Sequence, residues 1–434
     1  GEKIMAQVRA FGALRYTDKG KTALNVCPPY DIISEEQRLG YISESPENII
    51  RLEKPVGDNA YAKARETYLG WLKSGVIACD EKPGIYVYEE EFEAYGKTKK
   101  LRGIFTRVKL EEFSKGVVLP HEETLSKAKQ DRFELMCATG CNFSPIYSMY
   151  SDENRVISSR VMQCSAGKPE IEFTAEDGVI QRLWKIENRE DIAFLEKAFE
   201  DKKLFIADGH HRYETALRYR DKLISDGVIK DENHPANYCM MMLIDMENDG
   251  LVVFPTHRIV RGLENYDETA LLDKISAYFD VTGIEQNEIQ SVLGENDSEK
   301  VFVMCSKDKI FYKLTMKDGA QQKVAEMNPG KTAAYTSLDV TVLHSLILEN
   351  ILGIDKQNMA NQINLNYTRD ISEAIDLVNC SHDVNCAFLI RPTLISQIKD
   401  AALAGEKMPQ KSTYFYPKLI TGLVMNQILD PDTI

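Results

Sequence analysis

Apolar residues along this chain follow two patterns, one typical of buried strands and one typical of helices. Residues 204–207 form an apolar run of four, which is too short for a helix and suits a buried strand. After Asp208 and Gly209, apolar side chains recur at Tyr213 and Leu217, on one face of a helix. This stretch is therefore predicted to be a strand, a glycine turn and a helix.

The same patterns recur elsewhere in the chain. Residues 59–73 carry an apolar stripe with the helical period, and Gly75 is predicted to end that helix. A further helix is predicted over residues 339–352. Short apolar runs separated by turn residues predict three hairpins, formed by residues 85–92 with 101–110, 239–245 with 250–254, and 301–305 with 309–316. This mixture of strands and helices predicts an α/β fold, in the mixed α+β form.

The length of the chain bears on its domain organisation. It has 434 residues, more than one ordinary hydrophobic core accommodates, so two or three domains are expected. Residues 263–384 differ from the remainder in their acidic runs and in lacking the polar blocks described below. We therefore predict a catalytic core over residues 1–262, an accessory lobe over 263–384, and a C-terminal segment, 385–434, that returns to the core.

Composition narrows the classes of function. The formal net charge is −14, which argues against a nucleic-acid partner because phosphate binding by charge needs a basic surface. No apolar run approaches the roughly 18 residues of a membrane span, and no signal-peptide pattern is present. The nine cysteines are odd in number, scattered and without a C-x-x-C pair. They predict reduced thiols, a cytoplasmic location and no zinc site.

The polar cluster after the predicted strand is the strongest candidate for chemistry. Gly209, His210, His211 and Arg212 fall at the start of the predicted helix, where unpaired N–H groups and the helix dipole favour an anion. Glycine lets a ligand approach the backbone, and the other side chains add donors and positive charge. The cluster therefore predicts a phosphate site. Asp208, the acid in this cluster, is interpreted as an N-cap, a Mg²⁺ ligand or a proton acceptor.

A second polar stretch supplies further candidates. His121 and Glu122 follow a predicted strand, and a carboxylate beside a histidine suits a base that removes a hydroxyl proton. Lys129 and Arg132 lie just downstream and suit phosphate oxygens. The stretch is not a zinc-protease motif, because Leu125 occupies the position of the second histidine. Two glycine-lysine-threonine triplets elsewhere lack the first glycine of a Walker A loop.

Five blocks of sequence together resemble the bacterial and archaeal family known as domain of unknown function 1015. In chain order they are Pro28-Pro29-Tyr30-Asp31-Ile32, Pro120-His121-Glu122-Glu123-Thr124 with Lys129 and Arg132, Asp208-Gly209-His210-His211-Arg212-Tyr213-Glu214-Thr215, Pro255-Thr256-His257-Arg258, and Met408-Pro409-Gln410-Lys411-Ser412-Thr413-Tyr414-Phe415-Tyr416-Pro417-Lys418. The central block also resembles the signature of the free serine kinases of the ParB/sulfiredoxin-like superfamily. In that superfamily a glycine-polar-His-Arg turn at a helix start cradles the transferred phosphate.

The resemblance implies a ParB/sulfiredoxin-like mixed-sheet core elaborated by the accessory lobe. It also implies an enzyme that transfers a phosphoryl group to a small hydroxyl substrate, with free L-serine as the leading acceptor and O-phosphoserine as the product. The implied donor is pyrophosphate or a nucleotide such as ATP or ADP, and Mg²⁺ is the expected cofactor. The expected partners are therefore small molecules.

The resemblance and the residue chemistry together assign a role to each candidate side chain. Donor phosphate binding is assigned to Gly209, His210, His211, Arg212, Lys129 and Arg132. Asp208 is expected to hold the metal or act as the base, with Glu122 as the alternative base and His121 and His210 as further catalytic residues. Substrate binding is assigned to Tyr30, Asp31, His257, Arg258, Lys411, Ser412 and Thr413. Arg258 follows a predicted strand and suits a bidentate pair with a carboxylate or a second phosphate.

Three other functions stay open at this stage. A ParB-like regulatory module would bind a nucleotide without phosphorylating serine. A phosphohydrolase would use the same anion site with water as the acceptor. A non-catalytic scaffold would bind no ligand at the histidine pair.

Overall fold

Strands and helices are interspersed along the chain. The architecture is that of a computed structural model, which describes residues 5–124, 126–294 and 299–434. The strands are β1 Val8–Arg9, β2 Leu14–Tyr16, β3 Ile77–Cys79, β4 Ile85–Ala94, β5 Lys97–Lys109, β6 Val118–Leu119, β7 Cys141–Asn142, β8 Ile146–Tyr150, β9 Ile171–Thr174, β10 Ile180–Ile186, β11 Leu204–Asp208, β12 Tyr238–Asp245, β13 Val252–Phe254, β14 His257–Arg261, β15 Phe279–Ile284, β16 Val301–Cys305, β17 Phe311–Met316, β18 Leu365–Thr368, β19 Val384–Leu389, β20 Tyr414–Tyr416 and β21 Asn426–Gln427. The predicted α/β fold class is confirmed.

Helices occupy much of the remainder. The α-helices are α1 Thr22–Asn25, α2 Glu35–Glu44, α3 Ile50–Glu53, α4 Ala60–Ser74, α5 Ser126–Thr139, α6 Val156–Cys164, α7 Arg189–Ala198, α8 His210–Ser225, α9 Glu268–Ile275, α10 Ile289–Gly294, α11 Ala320–Met327, α12 Ala333–Thr336, α13 Asp339–Val342, α14 Lys356–Asn361, α15 Ile371–Cys380 and α16 Ile395–Leu403. The helix predicted over residues 59–73 is confirmed as α4, and Gly75 caps it in the left-handed conformation with φ of 76°. No helix of the described residues has both the length and the apolar character of a membrane span.

The described chain divides into two compact units. Unit 1 contains the described residues of 1–120, 124–252 and 417–434, and unit 2 contains residues 121–123 and 253–416. The three segments predicted from the sequence have other boundaries, and that division stays a prediction about domain organisation.

Unit 1 is built on a nine-stranded mixed sheet. Eight of its strands run in the order β6-β11-β8-β12-β5-β4-β10-β9, and β1 also pairs with β5. The pairs β11–β6 and β12–β8 are parallel, whereas the others are antiparallel. Every residue of β12 is buried, because this strand lies between β5 and β8 within the sheet. Helix α8 contributes Tyr213, Ala216 and Leu217 to the hydrophobic core of this sheet.

Unit 2 has a six-stranded sheet of antiparallel pairs, in the order β15-β17-β16-β19-β14-β18. Every residue of β16 is buried, and two apolar clusters pack against the sheet. A π-helix, Leu343–Glu349, follows α13 directly. Its backbone makes i→i−5 hydrogen bonds, from Asn350 N to Ser345 O at 3.1 Å and from Leu352 N to Ile347 O at 3.0 Å. The helix predicted over residues 339–352 is therefore helical at its start but widens into a π-helix.

Two of the three predicted hairpins are confirmed, as β4 with β5 and β16 with β17. The third is wrong, because β12 does not pair with the strand that follows it. Both edges of β12 are taken by β5 and β8, and β13 instead forms a two-stranded sheet with β20. A buried central strand has no free edge for its neighbour in sequence, so the turn residues between them lead the chain to another partner.

Candidate functional site

The predicted strand, glycine turn and helix are confirmed in unit 1. Strand β11 ends at Asp208, Gly209 occupies the N-cap with φ of 98°, and α8 begins at His210. This φ lies in the left-handed region that favours glycine. A β-carbon on Gly209 would also lie 3.1 Å from Nε and Nη2 of Arg212, so the guanidinium packs directly on the glycine. Because Gly209 holds the cap position, the interpretation of Asp208 as the N-cap is wrong.

The carboxylate of Asp208 lies among cations. Its Oδ2 accepts a hydrogen bond from Nζ of Lys418 at 2.8 Å, and its Oδ1 lies 3.8 Å from Nη2 of Arg212. Burial by itself would raise the pKa of Asp208, but the charges of Lys418, Arg212 and His210 hold it well below its usual range. Asp208 is therefore a carboxylate at neutral pH. A carboxylate with so low a pKa is a weak base and a good partner for a cation.

The side chains at the start of α8 differ in burial. His210 is buried and His211 is half-buried. Burial lowers the pKa of His211, and the cations Lys129 and Arg212 lower it further against the opposing carboxylates of Glu214 and Asp31. His211 is therefore neutral at pH 7 and able to donate one hydrogen bond.

Arg212 is oriented by the main chain. Its Nη1 donates to the backbone oxygen of Pro145. It also lines a cavity of about 30 Å³ together with Glu53, Arg132 and Ser144. The two arginines predicted to bind phosphate, from α8 and α5, therefore border the same small cavity.

Arg132 is the centre of a second cluster in unit 1. Its guanidinium lies 3.8 Å from the ring centroid of Tyr30 and pairs with Asp131 at 2.6 Å and with Glu53 at 3.2 Å. Glu53 is buried and accepts a hydrogen bond from Oγ of Ser144 at 2.7 Å. Burial raises the pKa of Glu53, and Arg132 and Ser144 act in the opposite direction. The structure therefore brings the Tyr30 block and the Arg132 block together.

Lys129 is paired within unit 1. Its Nζ lies 2.9 Å from Oε2 of Glu214, which also accepts a hydrogen bond from Oγ1 of Thr124 at 2.5 Å. The half-buried Glu214 thus joins α8 to the start of α5. In this arrangement the charge of Lys129 is balanced by a carboxylate.

Unit 2 brings two other blocks together. Nε2 of His121 lies 3.1 Å from Oγ1 of Thr413, and the backbone N–H of Met408 donates to the His121 oxygen at 2.7 Å. Glu122 forms an isolated parallel bridge with Met408. The hydroxyl of Ser412 donates to the backbone of its own loop, at Pro409 O. The segment that contains Lys411, Ser412 and Thr413 is therefore held against the His121 segment.

His257 and Arg258 lie in the interior of unit 2, and both are 0% exposed. Burial, together with the charge of Arg258, lowers the pKa of His257 to about 4. Burial also lowers the pKa of Arg258 to about 10. A substrate would reach these side chains only if the surrounding packing opened, and the substrate role assigned to them stays a prediction.

Comparison with known proteins agrees with the sequence blocks. The family described as protein of unknown function (DUF1015) has a model that matches residues 8–341. The chain belongs to this family. No curated protein matches this DUF1015 chain.

Solved structures similar to the DUF1015 chain include a free serine kinase in complex with AMP, at 14% identity and a TM-score of 0.34, over 72% of this chain and 86% of that one. A point mutant of a free serine kinase in complex with ADP has 13% identity and a TM-score of 0.34, over 72% and 87%. A conserved hypothetical protein from Pyrococcus furiosus has 14% identity and a TM-score of 0.32, over 72% and 90%.

The predicted site residues of this DUF1015 chain fall into both units. Unit 1 contains Tyr30, Asp31, Lys129, Arg132, Asp208, Gly209, His210, His211 and Arg212, and unit 2 contains His121, Glu122, His257, Arg258, Lys411, Ser412 and Thr413. The sequence predicted no role for Glu53 or Glu214, and it grouped Lys418 with Lys411, Ser412 and Thr413 in a loop compatible with an anionic ligand. Lys418 ends the last sequence block, which was its only signal. Glu214 lies in the central sequence block, whereas Glu53 had no signal, because its contacts are with residues far away in sequence.

Asp208 is the candidate ligand for the expected Mg²⁺. Among the described ranges, no group of three or more His, Cys, Asp or Glu side chains is placed to hold a metal ion. Mg²⁺ in phosphoryl transfer is commonly held by one or two carboxylates together with substrate phosphates, so a single carboxylate is sufficient. Asp208 in this DUF1015 chain fits that requirement. Its Oδ2 already accepts a hydrogen bond from Nζ of Lys418.

Proposed function

We propose that this chain is a phosphotransferase that moves a phosphoryl group from pyrophosphate or a nucleotide to the hydroxyl of free L-serine. The observation that carries the proposal is the start of α8, where Gly209 is left-handed and Arg212 folds back onto it. This geometry supports an anion site, because the first-turn amides and the helix dipole favour negative charge and Arg212 adds a cation.

The donor phosphates are the natural ligand for this site. Gly209 leaves the backbone open to close approach, since it carries no side chain. Neutral His211 and buried His210 add ring nitrogens, and Arg212 adds a planar fork that suits a phosphate. Lys129 and Arg132 would extend the same positive region, although each is now paired with a carboxylate.

Asp208 is better suited to binding a metal ion than to accepting a proton as a general base. Its low pKa makes it a permanent carboxylate, and a general base works best with a pKa near the operating pH. When bound, Mg²⁺ would neutralise charge on the transferring phosphoryl group. Glu122 stays the alternative base, and His121 stays a catalytic candidate with it.

In the proposed reaction the serine hydroxyl oxygen forms a bond to phosphorus, and the bond from phosphorus to the bridging oxygen of the donor breaks. The hydroxyl proton passes to a carboxylate, and the leaving group is phosphate or the shortened nucleotide. Asp31 is exposed on the turn Tyr30–Ile32 and has the charge to meet the ammonium group of serine. The roles predicted for His257, Arg258, Lys411, Ser412 and Thr413 in substrate binding stay predictions.

The test is to follow phosphoserine directly in the presence of Mg²⁺ and L-serine, with pyrophosphate, ADP and ATP as separate donors. Arg212→Ala is expected to lower the rate at least about a hundredfold, as removal of a phosphate-stabilising donor does. Arg220→Ala is the matched control, because both arginines lie on α8 and both side chains are 15% exposed. Full activity in Arg212→Ala would reject the assignment of the donor site.

The same assay separates the other functions. Phosphate released without serine would favour a phosphohydrolase. Nucleotide binding without turnover, measured by thermal stabilisation, would favour a regulatory module. Comparing Asp208→Asn with Glu122→Gln then identifies the base, because loss of the metal ligand is partly relieved by more Mg²⁺ and loss of the base is not.

A further inference from the structure

Unit 2 contains a polar cavity that the proposed phosphotransferase function does not use. Its volume is about 180 Å³, and it is lined in part by Thr341, His344, Glu349, Lys356 and Met408. At roughly 30 Å³ per water it holds about six waters, which matches a ligand of amino-acid size. Thr341 precedes the π-helix, and His344 and Glu349 lie on it. Such irregular turns are frequent where helices carry functional groups.

The buried hydroxyl group of Thr341 lines this cavity. Thr341 is 1% exposed, and its Oγ1 has no hydrogen-bond partner among the residues that the structure describes. Buried hydroxyl groups are normally satisfied, and Thr341 also lines the cavity, so a ligand bound there would supply the missing partner.

His344 supplies a second donor. Its Nε2 accepts a hydrogen bond from Nε of Arg258 at 3.2 Å, so the proton of the neutral ring lies on Nδ1. Burial lowers the pKa of His344 well below its usual range, and the nearby cations Arg258 and Lys356 act in the same direction. The ring is therefore neutral, with a fixed tautomer, and it donates from Nδ1.

The positive charge of Arg258, the hydrogen-bond partner of His344, is not balanced by a carboxylate of the described chain. Arg258 is fully buried, and its guanidinium bonds only to His344, Thr256 O and Lys411 O among the described side chains and carbonyls. No carboxylate of the described chain lies within 4.0 Å of it. Lys356 also lines the cavity, and its charge acts on the carboxyl of Glu349. A buried cation with neutral partners favours an anion nearby.

We propose that this cavity binds a small carboxylate of amino-acid size, whose oxygens accept hydrogen bonds from Oγ1 of Thr341 and Nδ1 of His344. The negative charge of the ligand compensates Arg258 through His344, and Lys356 faces it from the wall. An ammonium group on the ligand meets the half-buried carboxylate of Glu349. The site adjoins Arg258, which is also predicted to bind substrate, but binding of a carboxylate here needs no phosphoryl transfer and is measured without it.

The test uses methyl NMR of the full chain labelled at its methionines, because Met359 and Met408 both line the cavity. Acetate and L-alanine are titrated as carboxylates that accept no phosphoryl group, and methylammonium chloride is the opposite-charge control. We expect both carboxylates to shift the methyl signals of Met359 and Met408, with L-alanine binding at least about tenfold more tightly than acetate.

Thr341→Val tests the site without disturbing the fold, because valine has the same shape and the lost hydroxyl had no partner. It is expected to weaken binding of both carboxylates about tenfold or more. Thr22→Val is the matched control, since Oγ1 of Thr22 is also buried and unpartnered but lies in unit 1. Unshifted methyl signals, equal affinity in Thr341→Val, or equal shifts with methylammonium would each overturn the proposal.

Discussion

The ammonium group of Lys418 lies 2.8 Å from Oδ2 of Asp208, across a sequence separation of 210 residues. The contact ties the C-terminal segment of unit 1 to the end of β11, directly before the glycine turn. It keeps Asp208 ionised and balances one negative charge at the start of α8. The pair is therefore a structural support of the candidate donor site as well as a part of it.

The energy of this pair is measurable by a double-mutant cycle of Lys418→Met and Asp208→Asn. We expect each single variant to lower the free energy of unfolding at pH 7 by about 2 kcal/mol, and the double variant to lose much less than the sum. Urea unfolding measures each value. Additive losses would show that the two groups do not interact.

The same pair predicts a dependence of stability on pH. Because the folded chain holds the pKa of Asp208 below its usual range, its contribution to stability is present at neutral pH. The contribution is lost as the pH falls below about 4, the ordinary pKa of aspartate, and towards the lower folded value. Asp208→Asn should therefore show a smaller loss of stability over this acid range than the wild type. An unchanged acid profile would contradict the prediction.

Gly209→Ala tests whether the glycine turn positions Arg212. The left-handed φ of 98° and the contact with the guanidinium both oppose a side chain here. Gly227→Ala is the matched control, because Gly227 follows α8, has φ of 72° and has open space for a β-carbon. We expect Gly209→Ala to cost about 1 kcal/mol more than Gly227→Ala in urea unfolding. It should also lower phosphoserine formation, which Gly227→Ala should leave unchanged.

Glu90 predicts a loss of stability as the pH rises from the acid range through neutrality. Its side chain is fully buried, Tyr88 donates to its Oε1 at 2.8 Å, and Oε2 has no partner within the described chain. Burial raises the pKa of Glu90 to about 8. The folded chain therefore holds this proton where the unfolded chain releases it, and stability falls as the pH rises from about 4.5 to about 8.

Glu90→Gln should remove this dependence. We expect the variant to gain about 3 kcal/mol at pH 7 relative to the wild type and to show a flatter profile between these two pH values. Glu66→Gln, on the exposed face of α4, is the control. Parallel profiles for the wild type and Glu90→Gln would contradict the assignment.

Arg132→Lys tests the cluster that joins Tyr30 to α5. Lysine keeps the charge but loses the planar group that stacks on Tyr30 and pairs with both Glu53 and Asp131. We expect a loss of about 2 kcal/mol in urea unfolding, because buried Glu53 keeps only part of its partner. Arg218→Lys on α8, which stacks on Phe133 at the surface, is expected to cost much less. Equal losses in the free energy of unfolding for the two variants would show that the buried contacts of Arg132 contribute no more to stability than the exposed contact of Arg218.

Local patterns predicted several elements well because their causes are local. The strand β11, the turn at Gly209 and helix α8 depend on an apolar run, a residue that tolerates positive φ, and apolar spacing on one helix face. Helix α4 and the hairpin of β4 with β5 have equally local causes. The π-helix after α13 was not predicted, because apolar residues on all its sides do not distinguish the two helical periods.

Residue types and spacing by themselves determined that this chain has an α/β fold, that the 208–212 turn starts a helix, and, through its sequence blocks, which family it belongs to. Tertiary structure alone decided which distant residues meet. It placed Lys418 on Asp208, Glu53 on Arg132 and Thr413 on His121, and it gave β13 to β20. The physical reason is that ion pairs, strand edges and burial depend on the packing of segments far apart in sequence, whereas turns and helix starts depend on neighbouring residues.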